Sequence, residues 1–158
     1  MDQEAKKTVL RLIPYGLFAV TASDAAGEAG MTANWLTQVS FDPPLVAVAV
    51  EADARTLAAI RASGHFAVNV LPAGQRELAG LLGRRSKNVP DKLQQTPHHA
   101  GETGSPILDI ALGYVECRLQ SETPAGDHAL VVGEVIAAGL GSAGEPLTLR
   151  ETGFRYAG

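Results

Sequence analysis

Cysteine is almost absent: Cys117 is the only one in 158 residues, so no disulfide can form within the chain. That fits a reducing compartment. Positive charge is not in excess either. Lysine and arginine total 13 against 17 acidic residues, for a net charge of −4. The densest basic cluster, Arg84, Arg85 and Lys87, is small, which argues against nucleic acid as a partner. Long apolar runs are missing as well. Leu45 to Val50 is among the longest, far short of the ~20 residues that span a bilayer. Met1 to Lys7 is polar and charged, with no apolar signal core behind it. The expectation is a cytoplasmic protein with no membrane partner.

Several catalytic signatures are lacking too. No G-x-G-x-x-G follows a strand, and there is no P-loop and no G-x-S-x-G elbow. His98-His99 has no acidic or cysteine partner at metal-site spacing, so no metal is expected. Cys117 sits in an alternating segment and reads as inert core.

What is present is a 46% hydrophobic composition, enough for one domain over residues 1–158 with a proper core. Residues 2–12 read as a short amphipathic helix stopped by Pro14 and Gly16. Leu17 to Thr21 leans to strand, and Ser23 to Gly30 reads as the turn of a hairpin. Met31 to Ser40 mixes strand and loop character, and Asp42-Pro43-Pro44 is expected to stop any regular ladder. Leu45 to Val50 is a strand. Asp53 is placed to cap a helix running to about Ala62, closed by Ser63-Gly64. His65 to Leu71 is a strand, and Gln75 to Leu82 a helix ending at Gly83. Arg84 to Ser105 is a long polar loop of the kind that is functional or disordered. Leu112 to Gln120 alternates, placing Glu116 opposite Cys117. Thr123 to Asp127 is a turn, His128 to Ala138 a long strand and Leu147 to Leu149 a short one. Many strands with helices inserted irregularly predict a mainly β fold, an antiparallel sheet or barrel with peripheral helices.

Four segments could carry chemistry. Gly30-Met-Thr-Ala-Asn-Trp-Leu-Thr-Gln-Val-Ser40 offers hydroxyls, an amide and backbone N–H groups beside small residues. Such groups bind the edge of a heteroaromatic ring or a phosphate without bringing charge. The same stretch also fits an ordinary strand with Trp35 in the core. Asp53-Ala-Arg-Thr56 at a helix start is either a phosphate site or plain capping. Arg84 to Lys92 holds four cations and is either a phosphate clamp or a solvated loop. Gly126-Asp-His128 sets a histidine at a strand end, able to orient a nicotinamide or simply finish a turn.

In order along the chain, these segments resemble the flavin reductase-like family of FMN-binding split barrels. The matching pieces run from Pro14-Tyr-Gly through Gly30-Met-Thr-Ala-Asn-Trp and Val39-Ser-Phe-Asp-Pro-Pro-Leu45 to Arg55-Thr56. They continue through Ser63-Gly-His-Phe-Ala-Val-Asn-Val-Leu71, Gly104-Ser-Pro-Ile-Leu108 and Gly126-Asp-His128 with Val132-Gly-Glu-Val135. The likeness is nearest to flavoredoxin-like members and the flavin reductase domains of diflavin proteins. The resemblance implies a Greek-key split β-barrel that forms a homodimer and binds FMN, with FAD as the alternative. NADH or NADPH would be the co-substrate, and the activity NAD(P)H-dependent flavin reduction. A non-enzymatic FMN electron carrier stands as the other reading, and a monooxygenase or electron-transfer protein as the partner. Carried over residue by residue, Thr32, Ala33, Asn34 and Trp35 line the flavin, and Gln38, Val39 and Ser40 continue that wall. Arg55 and Thr56 approach the phosphate with Lys87 or Lys92, and His128 lies on the nicotinamide side.

Overall fold

The structure, a computed structural model, describes residues 1–156. The elements are α1 (Gln3–Leu12), β1 (Phe18–Asp24), β2 (Gly27–Ala33), β3 (Leu36–Phe41), β4 (Pro44–Glu51), α2 (Arg55–Ser63), β5 (His65–Val70) and α3 (Arg76–Leu82). They continue with β6 (His98–Ala100), β7 (Pro106–Leu108), β8 (Gly113–Ala125), β9 (His128–Leu140) and α4 (Leu149–Thr152). Seven strands form one sheet in the order β2-β1-β5-β8-β9-β4-β3, and β6 pairs with β7 separately. Every pairing is antiparallel, so the mainly β fold expected from the sequence is the one observed.

The two edge strands, β2 and β3, are consecutive in sequence and joined only by Asn34 and Trp35. The sheet curls so that residues from both halves share one core, with Val20, Val48, Phe66 and Val131 around Leu57 and Ile60 of α2. All six are fully buried. Side chains of this size each contribute about 1.5–3 kcal/mol when removed from water, so α2 is held as a plug inside the curl. A second apolar cluster, including Leu17, Leu71, Leu82, Leu108 and Leu147, lies under α3.

Local signals explain most boundaries. The Asp2 carboxylate accepts from the amides of Glu4 and Ala5 and starts α1. Gly64, at φ +71°, ends α2 in the left-handed region that glycine adopts without cost. Other expectations need correction. The turn after β1 is only Ala25-Ala26, because the hairpin pairs through to Asp24 and Gly27. Pro44 does not stop the ladder but opens β4, where its missing N–H is harmless at the strand's first residue. Asp53 does not cap α2. Ala54 occupies that position without a side-chain bond, and Asp53 pairs with Arg85. Strand β8 runs through the expected turn to Ala125. Residues 147–149 make no strand; Thr148 caps the short helix α4. The long polar segment holds strand β6.

The alternation read for β8 holds: Cys117 lies in the core with Val115 and Leu119 packed beside it, and Glu116 faces the other side. Glu116 is nevertheless fully buried, because the loop at Glu102 and Thr103 folds over that face. Burial pushes the Glu116 carboxyl up, but donors outweigh it and hold it below the usual carboxylate range. Those donors are the Thr103 hydroxyl and amide, at 2.7 Å for the amide, and the Glu102 amide at 2.9 Å. The carboxylate thereby closes the loop before β7.

Candidate functional site

A cavity of about 720 Å³ lies among the end of β2, the end of β4, α2 and α3. Part of its lining is uncharged. At the end of β2, the Thr32 hydroxyl donates to the Ala79 carbonyl of α3 at 2.6 Å. Past the strand end, the Asn34 amide donates to the Tyr156 carbonyl at 3.2 Å. Met31, Ala58, Gly80 and Leu149 complete an apolar, small-residue lining.

The rest of the lining is charged, with Glu51 and Asp53 among a majority of cations. Arg55, Arg84, Arg85, Lys87 and Lys92 belong to it, with the Thr56 hydroxyl and Ser86 among them. Arg55, the first residue of α2, grips both Asp24 oxygens and the Gly27 carbonyl, bracing the β1–β2 turn. That guanidinium holds the Asp24 carboxyl below its ordinary range. Arg85 spans Asp53 at 2.8 Å and Glu51 at 3.2 Å. Lys92 is buried, its ammonium donating to the Leu82 carbonyl at 2.8 Å and to that of Arg84. Burial pushes its pKa down to about 8. Among the described residues, Lys87 has no carboxylate within ion-pair distance.

Of the residues expected from the sequence, Thr32, Asn34, Arg55, Thr56, Lys87 and Lys92 come together around this cavity. Ala33 is buried in the core behind it. Gln38, Val39 and Ser40 do not line it. The Trp35 carbonyl accepts from Ala49, starting the β3–β4 ladder, and the chain then runs away along the sheet edge, where Val39 is 51% exposed. Trp35 is no cavity wall either. Its ring packs at 5.0 Å against His128 and at 5.4 Å against Tyr156.

His128 reaches the cavity only through Tyr156. Its Nδ1 lies 2.7 Å from Asp127 Oδ1 and its Nε2 3.2 Å from the Tyr156 hydroxyl. The imidazole holds the Asp127 carboxyl below its ordinary range. Tyr156 lines the cavity and donates to Glu51 Oε1 at 3.1 Å. Burial, with Glu51 alongside, pushes its phenol up to about 12, so it stays a neutral donor. Arg84 and Arg85 belong to the basic segment read as a phosphate clamp, whereas Glu51, Phe154 and Tyr156 lie outside the segments read for chemistry. The aromatic–basic–aromatic triplet Phe154-Arg155-Tyr156, close behind a helix stop, was the available signal.

A family model described as "Flavin reductase like domain" matches residues 10–158. A probable flavin reductase of Rhizobium meliloti (strain 1021) is 35% identical over 137 residues, covering 86% of this chain and 43% of that protein. The chain thus spans less than half the length of that relative. The reductase component of a 4-hydroxyphenylacetate 3-monooxygenase from Thermus thermophilus is 34% identical over 154 residues, 97% of this chain and 95% of that one. Among solved structures, the NADH:FAD oxidoreductase of Streptomyces globisporus, in complex with NAD and FAD fragments, superposes with a TM-score of 0.80 at 34% identity. It covers 89% of this chain and 83% of the other.

Proposed function

Because the chain belongs to the flavin reductase-like domain family, we propose that its cavity binds a flavin and that NADH or NADPH reduces it there. The observation that carries this is one cavity whose lining divides between neutral small or polar groups and a cluster of cations. A flavin mononucleotide has the same division, a flat uncharged ring and a phosphate tail. The donor set fits: Thr32 and Asn34 offer neutral polar groups at the ring end, and Arg84, Lys87 and Lys92 offer positive charge at the tail.

A bound flavin would supply the redox chemistry, accepting a hydride at N5 from nicotinamide C4. The chain's own work is positioning. The Thr32–Ala79 bond fixes the ring wall against α3. Phe154 to Tyr156 form part of the cavity wall. His128, held through both ring nitrogens by Asp127 and Tyr156, positions the Tyr156 hydroxyl on the side where a nicotinamide would approach.

The working form we infer is a homodimer in the cytoplasm. Phe41 at 91% and Leu140 at 97% exposure leave large apolar groups for a second copy to cover, and α1 has no buried residue. Among the described residues no helix is long and apolar enough to cross a membrane. The similarity to a monooxygenase reductase component supports an oxygenase as the consumer of reduced flavin. Mixing the protein with FMN and NADH without oxygen tests the reading. Loss of the oxidised-flavin absorbance supports it, and an unchanged spectrum at catalytic protein concentrations refutes it.

A further inference from the structure

Against the cationic part of that lining lies a second cavity of about 340 Å³. It shares Arg55, Ser86, Lys87 and Lys92 with the first, so the two spaces meet across three cations and a hydroxyl. The charge there is poorly neutralised. Asp24 balances Arg55, but Lys92 meets only carbonyls. A single terminal phosphate needs only the near side of such a partition. A group with positive charge in its middle and room on both sides suits a diphosphate that continues beyond it.

The far walls match an adenosine. Pro90 offers exposed apolar surface for a purine, backed by the buried Leu93, and Glu28 lines the same space. Glu28 Oε2 meets His98 Nε2 at 2.9 Å. Its Oε1 has no hydrogen-bond partner among the described residues, leaving a carboxylate oxygen free for ribose hydroxyls, which only donate to it. We propose that this second cavity takes the adenosine end of a dinucleotide whose diphosphate lies across Arg55, Lys87 and Lys92. The proposal rests on the flavin reading of the larger cavity. The shared chemistry is adenosine diphosphate, and it can come from FAD or from the nicotinamide nucleotide.

Ala26 sits at the exposed hairpin turn and lines only the second cavity, so Ala26→Trp fills that space without touching the first. ADP is the direct probe. It is expected to bind the wild-type protein and to bind Ala26→Trp at least about tenfold more weakly. FMN affinity should stay within about twofold, which also certifies the fold. Glu28→Gln, a milder change, should weaken ADP by about three- to tenfold. If Ala26→Trp weakens FAD, the adenosine belongs to the flavin; if it raises KM for NADH with FMN as acceptor, it belongs to the nicotinamide nucleotide. Absence of ADP binding, or ADP binding indifferent to both substitutions, overturns the proposal. Failure of FMN to bind while ADP binding holds would instead overturn the flavin reading alone.

Discussion

His128 Nε2 lies 3.2 Å from the Tyr156 hydroxyl, in a row of three contacts that begins at Asp127 and ends at Glu51. Both ends of the row are carboxylates, which accept hydrogens and do not give them. The row ties the C-terminal segment to the start of β9 and the end of β4 at the cavity edge, with Trp35 packed against both rings.

Tyr156→Phe keeps the packing on Trp35 and removes the hydroxyl. Glu51 and His128 each lose a partner, at about 1–2 kcal/mol for such a bond beside charge. We expect kcat/KM for NADH to fall by about five- to twentyfold, with FMN affinity changed less than about threefold. Steady-state kinetics with FMN as acceptor, alongside a fluorescence titration of FMN, checks both numbers.

Lys92 makes binding and stability respond to pH with opposite signs. Its pKa is lowered from 10.5 to about 8 by burial. The native protein therefore sheds this proton before the unfolded chain does, and stability rises with pH between those values. Below about 8 both states are protonated and the cost of burying the charge is present in full. Attraction for a phosphate runs the other way, strong below about 8 and weaker above. Between about pH 7 and pH 9.5, wild-type FMN affinity should fall by about three- to tenfold, while urea stability gains on the order of 1 kcal/mol relative to Lys92→Met. Lys92→Met should show neither slope.

Glu116 supplies the acid limit. Its carboxyl is held below 4.5 in the fold by the Thr103 and Glu102 donors, despite burial. A lowered carboxyl stabilises above its unfolded value and loses that contribution as pH falls through the folded one. Glu116→Ala leaves the loop amides without their acceptor and should cost about 2–4 kcal/mol at neutral pH. Glu116→Gln should unfold with a flatter dependence on acid than the wild type. Thermal melts across the acid range measure both.

How much of this was legible in the sequence depended on distance along the chain. Helices α1 to α3 and strands β4, β5 and β9 were readable to within a few residues, because their stops and periodicities are local: Gly64 for α2, Gly83 for α3. The burial of Glu116 was not readable, since it comes from the loop at Glu102 and Thr103 folding over that face of β8. The same division holds for the site. Thr32, Asn34, Arg55 and Lys87 lie in segments whose composition already suggested binding. Glu51 and Tyr156 become neighbours only when the C-terminal segment returns across the sheet. The resemblance places Gln38 to Ser40 on the same wall as Thr32, yet β3 carries them along the sheet edge, and they do not line the cavity.

A flavin site of this kind must distinguish the phosphate tail of its ligand from the ring. A fluorescence titration comparing FMN with riboflavin, in the wild type and in Lys87→Ala, measures this. We expect FMN to bind at least about tenfold tighter than riboflavin, and Lys87→Ala to remove most of that preference while leaving riboflavin unchanged. Equal affinity for the two ligands, or no association of FMN at micromolar concentrations, would contradict it.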